Sequence, residues 1–283
     1  MAKVAAVTGA SSGIGAEFCR ALDAEDLDEI WMISRRADAM EGIASGIRTK
    51  CRIIPIDLSD ENGRDRLATI IQTEKPDIRY AIGCAGLGRF GDSFSIPKEQ
   101  TRSMIEVNIS STVEFVSMCI PFMGRGSHII VLCSEAAYVA AYRLGVYAAS
   151  KAFVRSYLDS LRYEVENKGI SVLEVSPGWV DTPFIDGARS SFDAPPKVFG
   201  GTVTKEAVVK KAMEDCASGR KRSVCGFATR TIISLATHFP RFSSYYWRRL
   251  WKRWDRFAPS IGGRNEASRV NSYPPLRTGC CIA

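Results

Sequence analysis

Along the first two thirds of the chain, short apolar runs rich in β-branched residues alternate with longer stretches in which apolar positions recur every three or four residues. The short runs are Val4 to Thr8, Glu29 to Ser34, Arg52 to Ile56, Tyr80 to Cys84, His128 to Cys133 and Ser171 to Val175. Apolar residues that run on without alternating with polar ones mark a strand covered on both faces, as in a parallel sheet. The helical period appears between them, over Gly13 to Leu22, Asp38 to Ile47, Asn62 to Thr73, Gln100 to Pro121 and Tyr147 to Asn167. This alternation predicts right-handed βαβ units, and hence an α/β fold with a doubly wound parallel sheet in one domain over residues 1–225. After Pro177 a Gly/Pro/Ser-rich stretch runs to Gly201, followed by a helix over Lys205 to Ala217 and an apolar segment over Phe227 to Phe239. Residues 259–283 are polar and Pro/Gly-rich without apolar periodicity, and are expected to be disordered.

Composition narrows the class. A chain of 283 residues that is 46% hydrophobic and 24% charged can bury one large α/β core. Its nine cysteines are odd in number, scattered, and without metal-ligand spacing, so they read as reduced thiols of a cytoplasmic protein that binds no metal. No stretch reaches the roughly 18 apolar residues of a membrane span. A first strand at Lys3 to Thr8 leaves no room for a signal sequence, so the chain is expected to be soluble or at most membrane-peripheral. The net charge of +7 is confined to the end: from Arg241 onward there are nine Lys/Arg and two Asp/Glu, against 29 of each before it. Three of the five tryptophans, Trp247, Trp251 and Trp254, are there too.

Chemistry enters at the end of the first strand. Thr8-Gly9-Ala10-Ser11-Ser12-Gly13-Ile14-Gly15 opens a helix, where backbone N–H groups and the helix dipole can hold a pyrophosphate. Gly9 permits the tight turn, Gly13 lets a phosphate approach, and Gly15 lets helix and strand pack closely, as in a Rossmann-type dinucleotide site. The second strand ends Ser34-Arg35-Arg36, where an NAD site would usually carry an acid for the ribose 2′-hydroxyl. A guanidinium suits a 2′-phosphate, so Arg35 argues for NADP, with Arg36 placed to stack on adenine. Asp57 and Leu58 follow the third strand and can reach the adenine edge; Cys84-Ala85-Gly86 ends the fourth and can lie under the adenosine ribose.

Tyr147 and Lys151 stand four apart on a helix, so phenol and ammonium share a face. The cation favours the phenolate and is expected to bring Tyr147 toward the range of neutral proton exchange. Ser134, at the end of the fifth strand, adds a hydroxyl. A carbonyl oxygen bonded to both Ser134 and Tyr147 would be polarised, then protonated as hydride reaches its carbon.

Together these motifs resemble the short-chain dehydrogenase/reductase family over about residues 3–225. The resemblance implies a tetrad of Asn108, Ser134, Tyr147 and Lys151: Tyr147 the acid/base, Lys151 holding the nicotinamide ribose and tuning Tyr147, Ser134 orienting substrate, and Asn108 anchoring a water. It also implies that Pro177, Gly178, Val180 and Thr182 contact the nicotinamide, with the Val180 amide and Thr182 at the carboxamide. A homodimer or homotetramer through the helices at Gln100 to Pro121 and Tyr147 to Asn167 is implied as well. One departure is Cys84, where the family usually has Asn before Ala-Gly; it reads as a packed thiol.

The expected reaction is NADPH-dependent reduction of a lipophilic ketone or aldehyde, such as a steroid, retinoid or fatty-acyl carbonyl. The alternatives are a 3-oxoacyl thioester reductase and a non-catalytic NADP-binding sensor. A substrate loop is expected over Pro183 to Thr202, with Phe184, Ile185, Phe192, Val198 and Phe199 as its apolar members. Residues 226–258 combine the apolar segment with a predicted amphipathic helix over 241–257, whose tryptophans oppose Arg248, Arg249, Lys252, Arg253 and Arg256. Such a helix suits an anionic membrane surface, and Thr231 to Phe239 would extend that contact; docking on protein is the other reading. Nucleic acid is not expected as a partner, since the charge sits on one short helix without a reading motif.

Overall fold

The computed structural model describes residues 1–184, 202–240 and 249. The loop beyond Phe184 as far as residue 201, the predicted helix at 241–257 apart from Arg249, and the tail from 259 lie outside the described residues.

Among the described residues seven strands form one parallel sheet: β1 (Lys3–Thr8), β2 (Glu29–Ser34), β3 (Lys50–Pro55), β4 (Asp77–Gly83), β5 (His128–Leu132), β6 (Ser171–Val175) and β7 (Arg222–Ser223), ordered β3-β2-β1-β4-β5-β6-β7. The helices are α1 (Gly13–Ala21), α2 (Ala37–Ala44), α3 (Glu61–Glu74), α4 (Lys98–Ile105), α5 (Ser111–Cys119), α6 (Gly145–Val165), α7 (Lys205–Ala217) and α8 (Phe227–His238). Because the apolar strands are covered on both sides, the core has two layers. One joins Phe115 and Val116 of α5 to Leu158 and Leu161 of α6; the other joins Phe18 of α1 to Val208, Val209 and Ala212 of α7.

The architecture is the predicted doubly wound sheet, with differences in detail. β3 and β4 begin earlier than their apolar runs, at Lys50 and Asp77, because the parallel register pairs these polar residues with Glu29 and Lys3. The seventh strand was not predicted. It is two polar residues long and exists through its pairing with Glu174 and Val175, with the Arg222 guanidinium 3.3 Å from the buried Glu174 carboxylate. The single helix expected over Gln100 to Pro121 is interrupted by a π-helical turn at Glu106–Ser110, which contains Asn108.

The order of winding reverses between β1 and β4. Crossovers on either side of such a point diverge, leaving a crevice at the carboxyl ends of the strands.

Candidate active site

The crevice is a cleft of about 700 Å³ that runs from the end of β2, over the β1–α1 loop, to the start of α6. Every catalytic and cofactor residue named from the sequence lines it except Asn108.

The β1–α1 loop is shaped by close packing. Gly9 has φ +69°, and a Cβ there would lie 2.8 Å from the Cys84 carbonyl carbon; one at Gly15 would lie 2.3 Å from the Gly9 oxygen. Neither position admits a side chain. Gly13, at φ +56°, differs: a Cβ there would project toward Thr182 at 3.4 Å, into the space where a phosphate can meet the loop. The Thr8 hydroxyl ties β1 to β4 by accepting from the Cys84 and Ala85 amides at 3.1 and 3.3 Å. Buried behind this loop, the Cys84 thiol is pushed up to about 12 by desolvation, as befits a packed group. Ile14 and Leu58 supply apolar wall.

At the end of β2 the two arginines divide differently from the sequence reading. Arg36, expected at adenine, turns to the glycine loop: Nη2 donates to the Ser11 and Ser12 hydroxyls at 3.0 and 2.9 Å, and Nε to Ser11 at 3.3 Å. Ser11 and Ser34 share a 2.7 Å hydrogen bond, so three hydroxyls and a guanidinium converge here. Arg35, largely exposed, lies 3.7 Å from the Asp57 carboxylate. Burial works to raise Asp57, but bonds from the Ser59 amide and hydroxyl and the Arg35 charge outweigh it and hold the carboxyl below its usual range.

At the other end, the helical spacing of Tyr147 and Lys151 brings both side chains into the cleft with Ser134, whose hydroxyl favours the Tyr147 phenolate. Ser134 is extended at φ −171°, and its Oγ also accepts from the Ala136 amide at 3.1 Å. The expected fall in the Tyr147 pKa is not what the geometry produces. Burial pushes the phenol up, and only the Ser134 hydroxyl opposes this. The reason is that the Lys151 ammonium donates to the Leu132 carbonyl at 2.8 Å, 6.0 Å from the centre of the Tyr147 ring. Burial in turn lowers Lys151.

Asn108 is fully buried beside the cleft. Its Oδ1 accepts from the Leu87 amide at 2.7 Å, and its Nδ2 donates to the Leu87 carbonyl and to Ser150 Oγ, each at 2.9 Å. It clamps the segment after β4 against α6 and sits 3.8 Å from where a Cβ on Gly86 would stand, with Lys151 Nζ at 3.6 Å from the same point.

Pro177 to Thr182 closes the cleft from the β6 side. Val203 pairs there through Trp179 O and Asp181 N, which turns the Val180 amide to the opposite edge, and the Thr182 hydroxyl donates to Val180 O at 3.4 Å.

Several lining residues were not found from the sequence. Phe90 stacks on Trp179 with ring centres 6.1 Å apart and Leu144 packs with them, beside Phe184, the expected loop residue, whose ring centre lies 5.5 Å from that of Tyr147. Glu135 follows Ser134 and is mostly buried against Gly178, where it is hydrogen-bonded to Thr229 of α8. Burial pushes its carboxyl up to about 7, and the Thr229 bond opposes this. A carboxyl next to a candidate tetrad serine was the one available signal; Thr229 had none.

A glycine loop at the switch point of a parallel sheet, facing a Ser–Tyr–Lys group across one cleft, defines a dinucleotide-dependent oxidoreductase. The chain belongs to the short chain dehydrogenase family, whose model matches residues 3–191. An uncharacterized oxidoreductase of Staphylococcus epidermidis is 30% identical over 187 residues, covering 65% of this chain and 81% of that protein. A Helicobacter pylori protein, "Probable short-chain type dehydrogenase/reductase VdlC", is 27% identical over 262 residues, covering 86% and 94%. Among solved structures of the same fold, a short-chain dehydrogenase from Sphingobium yanoikuyae in complex with NADPH has a TM-score of 0.72 at 18% identity, covering 95% of this chain and 100% of that one. A Burkholderia phymatum dehydrogenase in complex with NAD has 0.71 at 21% identity, covering 86% and 95%. No helix among the described residues is long and apolar enough to cross a membrane.

Proposed function

We propose that the chain is an NADP(H)-dependent carbonyl reductase in which Tyr147 gives its proton to the carbonyl oxygen while Ser134 holds that oxygen by a second hydrogen bond. The observation that carries this reading is the convergence of Ser134, Tyr147 and Lys151 in one cleft with the glycine loop, the Lys151 ammonium 6.0 Å from the centre of the phenol ring. When bound, NADPH supplies the hydride that reduces the carbonyl carbon, and alcohol and NADP+ are the products. Proton loss from Tyr147 leaves a phenolate, and the Lys151 ammonium on the same helix face is placed to meet that charge. Asn108 holds the Leu87 segment in place beside Lys151; its role as a water anchor is part of the proposal.

The preference for NADP rests on Arg36 with Ser11, Ser12 and Ser34, a donor cluster suited to a 2′-phosphate with no carboxylate at the end of β2 to receive a ribose hydroxyl. Arg35 and Asp57 then flank the adenosine side, and Pro177, Gly178, Val180 and Thr182 the nicotinamide side. Phe90, Leu144, Trp179 and Phe184 favour a lipophilic ketone or aldehyde. The proposal includes a homo-oligomer through α4, α5 and α6, which expose Ile105, Phe153 and Tyr163.

The test is NADPH consumption over a panel of steroids, retinals, acyl thioesters and simple ketones, alongside cofactor binding. Turnover that disappears in Tyr147→Phe with NADPH binding retained is the expected result. Turnover undiminished in Tyr147→Phe would refute the assignment of the proton donor, and binding without turnover on any carbonyl would favour a sensor.

A further inference from the structure

Charged groups elsewhere in the cleft have polar partners. Arg35 lies near Asp57, Arg36 donates to Ser11 and Ser12, and the Lys151 ammonium donates to the Leu132 carbonyl. Glu135 differs. It lines the cleft directly after Ser134, and among the described residues no cation acts on its carboxylate, whose desolvation only Thr229 opposes. Gly178 keeps the place open: a Cβ there would stand 3.0 Å from Glu135 Oε2 and 2.5 Å from Thr229 Oγ1, so no side chain fits between them.

The adjoining wall is aromatic. Trp179 follows Gly178 and stacks on Phe90, Tyr147 packs against this cluster, and the Phe184 ring lies 5.5 Å from that of Tyr147. A carboxylate taken out of water without a counter-ion is costly, and the cost is recovered when a proton or a cation joins it. Aromatic rings attract cations as well. An ammonium group entering this end of the cleft finds both, the carboxylate for its charge and the rings for its alkyl groups. A substrate with its own carboxylate or phosphate here would be repelled by Glu135, and a wholly apolar one would bury Glu135 further without a partner.

We propose that Glu135 is a specificity-determining residue for a carbonyl substrate that carries a basic nitrogen. The substrate's ammonium pairs with Glu135 and its alkyl groups lie against Trp179, Phe90 and Phe184, with the carbonyl at Ser134 and Tyr147. This names the substrate class of the same cleft and rests on the reductase reading for the carbonyl, so the test reads binding and not turnover.

Isothermal titration of the full chain with NADP+ present compares ketones that differ by nitrogen in place of carbon. The pairs are 1-methyl-4-piperidone against 4-methylcyclohexanone, and 5-(dimethylamino)pentan-2-one against 6-methylheptan-2-one. At neutral pH the amine of at least one pair should bind about tenfold or more tightly than its carbon counterpart, the worth of a charge-assisted hydrogen bond. Glu135→Gln keeps the shape and removes the charge, so it should erase this preference while the carbon ketones bind as before. Glu135→Asp, which restores a carboxylate, should recover part of it. Equal binding of amine and carbon ketones in both pairs, binding of neither, or a preference unchanged in Glu135→Gln overturns the proposal. So does an equal loss for both members of a pair in Glu135→Gln, because Glu135 would then only support the fold. A preference that holds in wild type and is erased in Glu135→Gln, with no ketone reduced by wild type and NADPH, would defeat the reductase reading and leave the ammonium subsite standing.

Discussion

Glu135 offers a test in which the sign follows from burial alone. Its carboxyl lies against Gly178, the Thr229 bond is its polar contact, and no cation opposes desolvation among the described residues. Desolvation therefore raises it from 4.5 to about 7 in the folded protein. Between those values the folded state holds a proton that the unfolded chain has released. The stabilisation from holding it is complete below about 4.5 and is lost as pH rises through about 7. The gap is worth about 3 kcal/mol by the usual conversion of pKa into free energy. In a chain of this size that corresponds to roughly 5–10 °C in melting temperature. Glu135→Gln removes the titration while its side-chain oxygen still accepts from Thr229. The measurement is the melting-temperature difference between variant and wild type, which cancels every other titration the two share. At about pH 4 the difference should be near zero, and at about pH 8 the variant should melt several degrees higher. A difference that stays flat between these pH values, or a less stable variant at pH 8, would refute the claim that a buried, uncompensated carboxyl stands beside Ser134.

Other expectations follow from single contacts. Arg36→Ala should weaken NADPH binding about 10- to 100-fold by removing charge-assisted bonds, while NADH titrations stay unchanged; equal losses for both cofactors would show that Arg36 only supports the loop. Asn108→Ala leaves the Leu87 amide, the Leu87 carbonyl and Ser150 without their partner in a fully buried place. It should cost about 2–4 kcal/mol in urea unfolding, and a loss under about 0.5 kcal/mol would mean that the clamp does not support the segment after β4.

What the chain alone determined was whatever depends on near neighbours. The strand interiors at 4–7, 30–33 and 129–132 are apolar without a break because both faces of the sheet are covered, so the strands were legible without their partners. The turn at Gly9 to Gly15 and the four-residue spacing of Tyr147 and Lys151 are likewise local, and so were readable. The tertiary structure decided what distant residues do to one another. β7 is two polar residues that become a strand only beside Glu174 and Val175. Arg36 rather than Arg35 faces the glycine loop because the end of β2 turns toward Ser11 and Ser12 on its way into α2. The π-helical turn around Asn108 goes with the amide's bonds to Leu87 and Ser150, which lie on other elements. Glu135 meets Thr229 only because α8 packs across the end of β5. Even the Tyr147 pKa was misjudged from spacing, which showed a cation nearby and not that burial and the Leu132 carbonyl would govern the pair. Hydrophobic period and turn chemistry act within a few residues and are written along the chain, whereas burial, ion pairing and the walls of a cleft depend on which strands become neighbours when the sheet reverses its winding at β1 and β4.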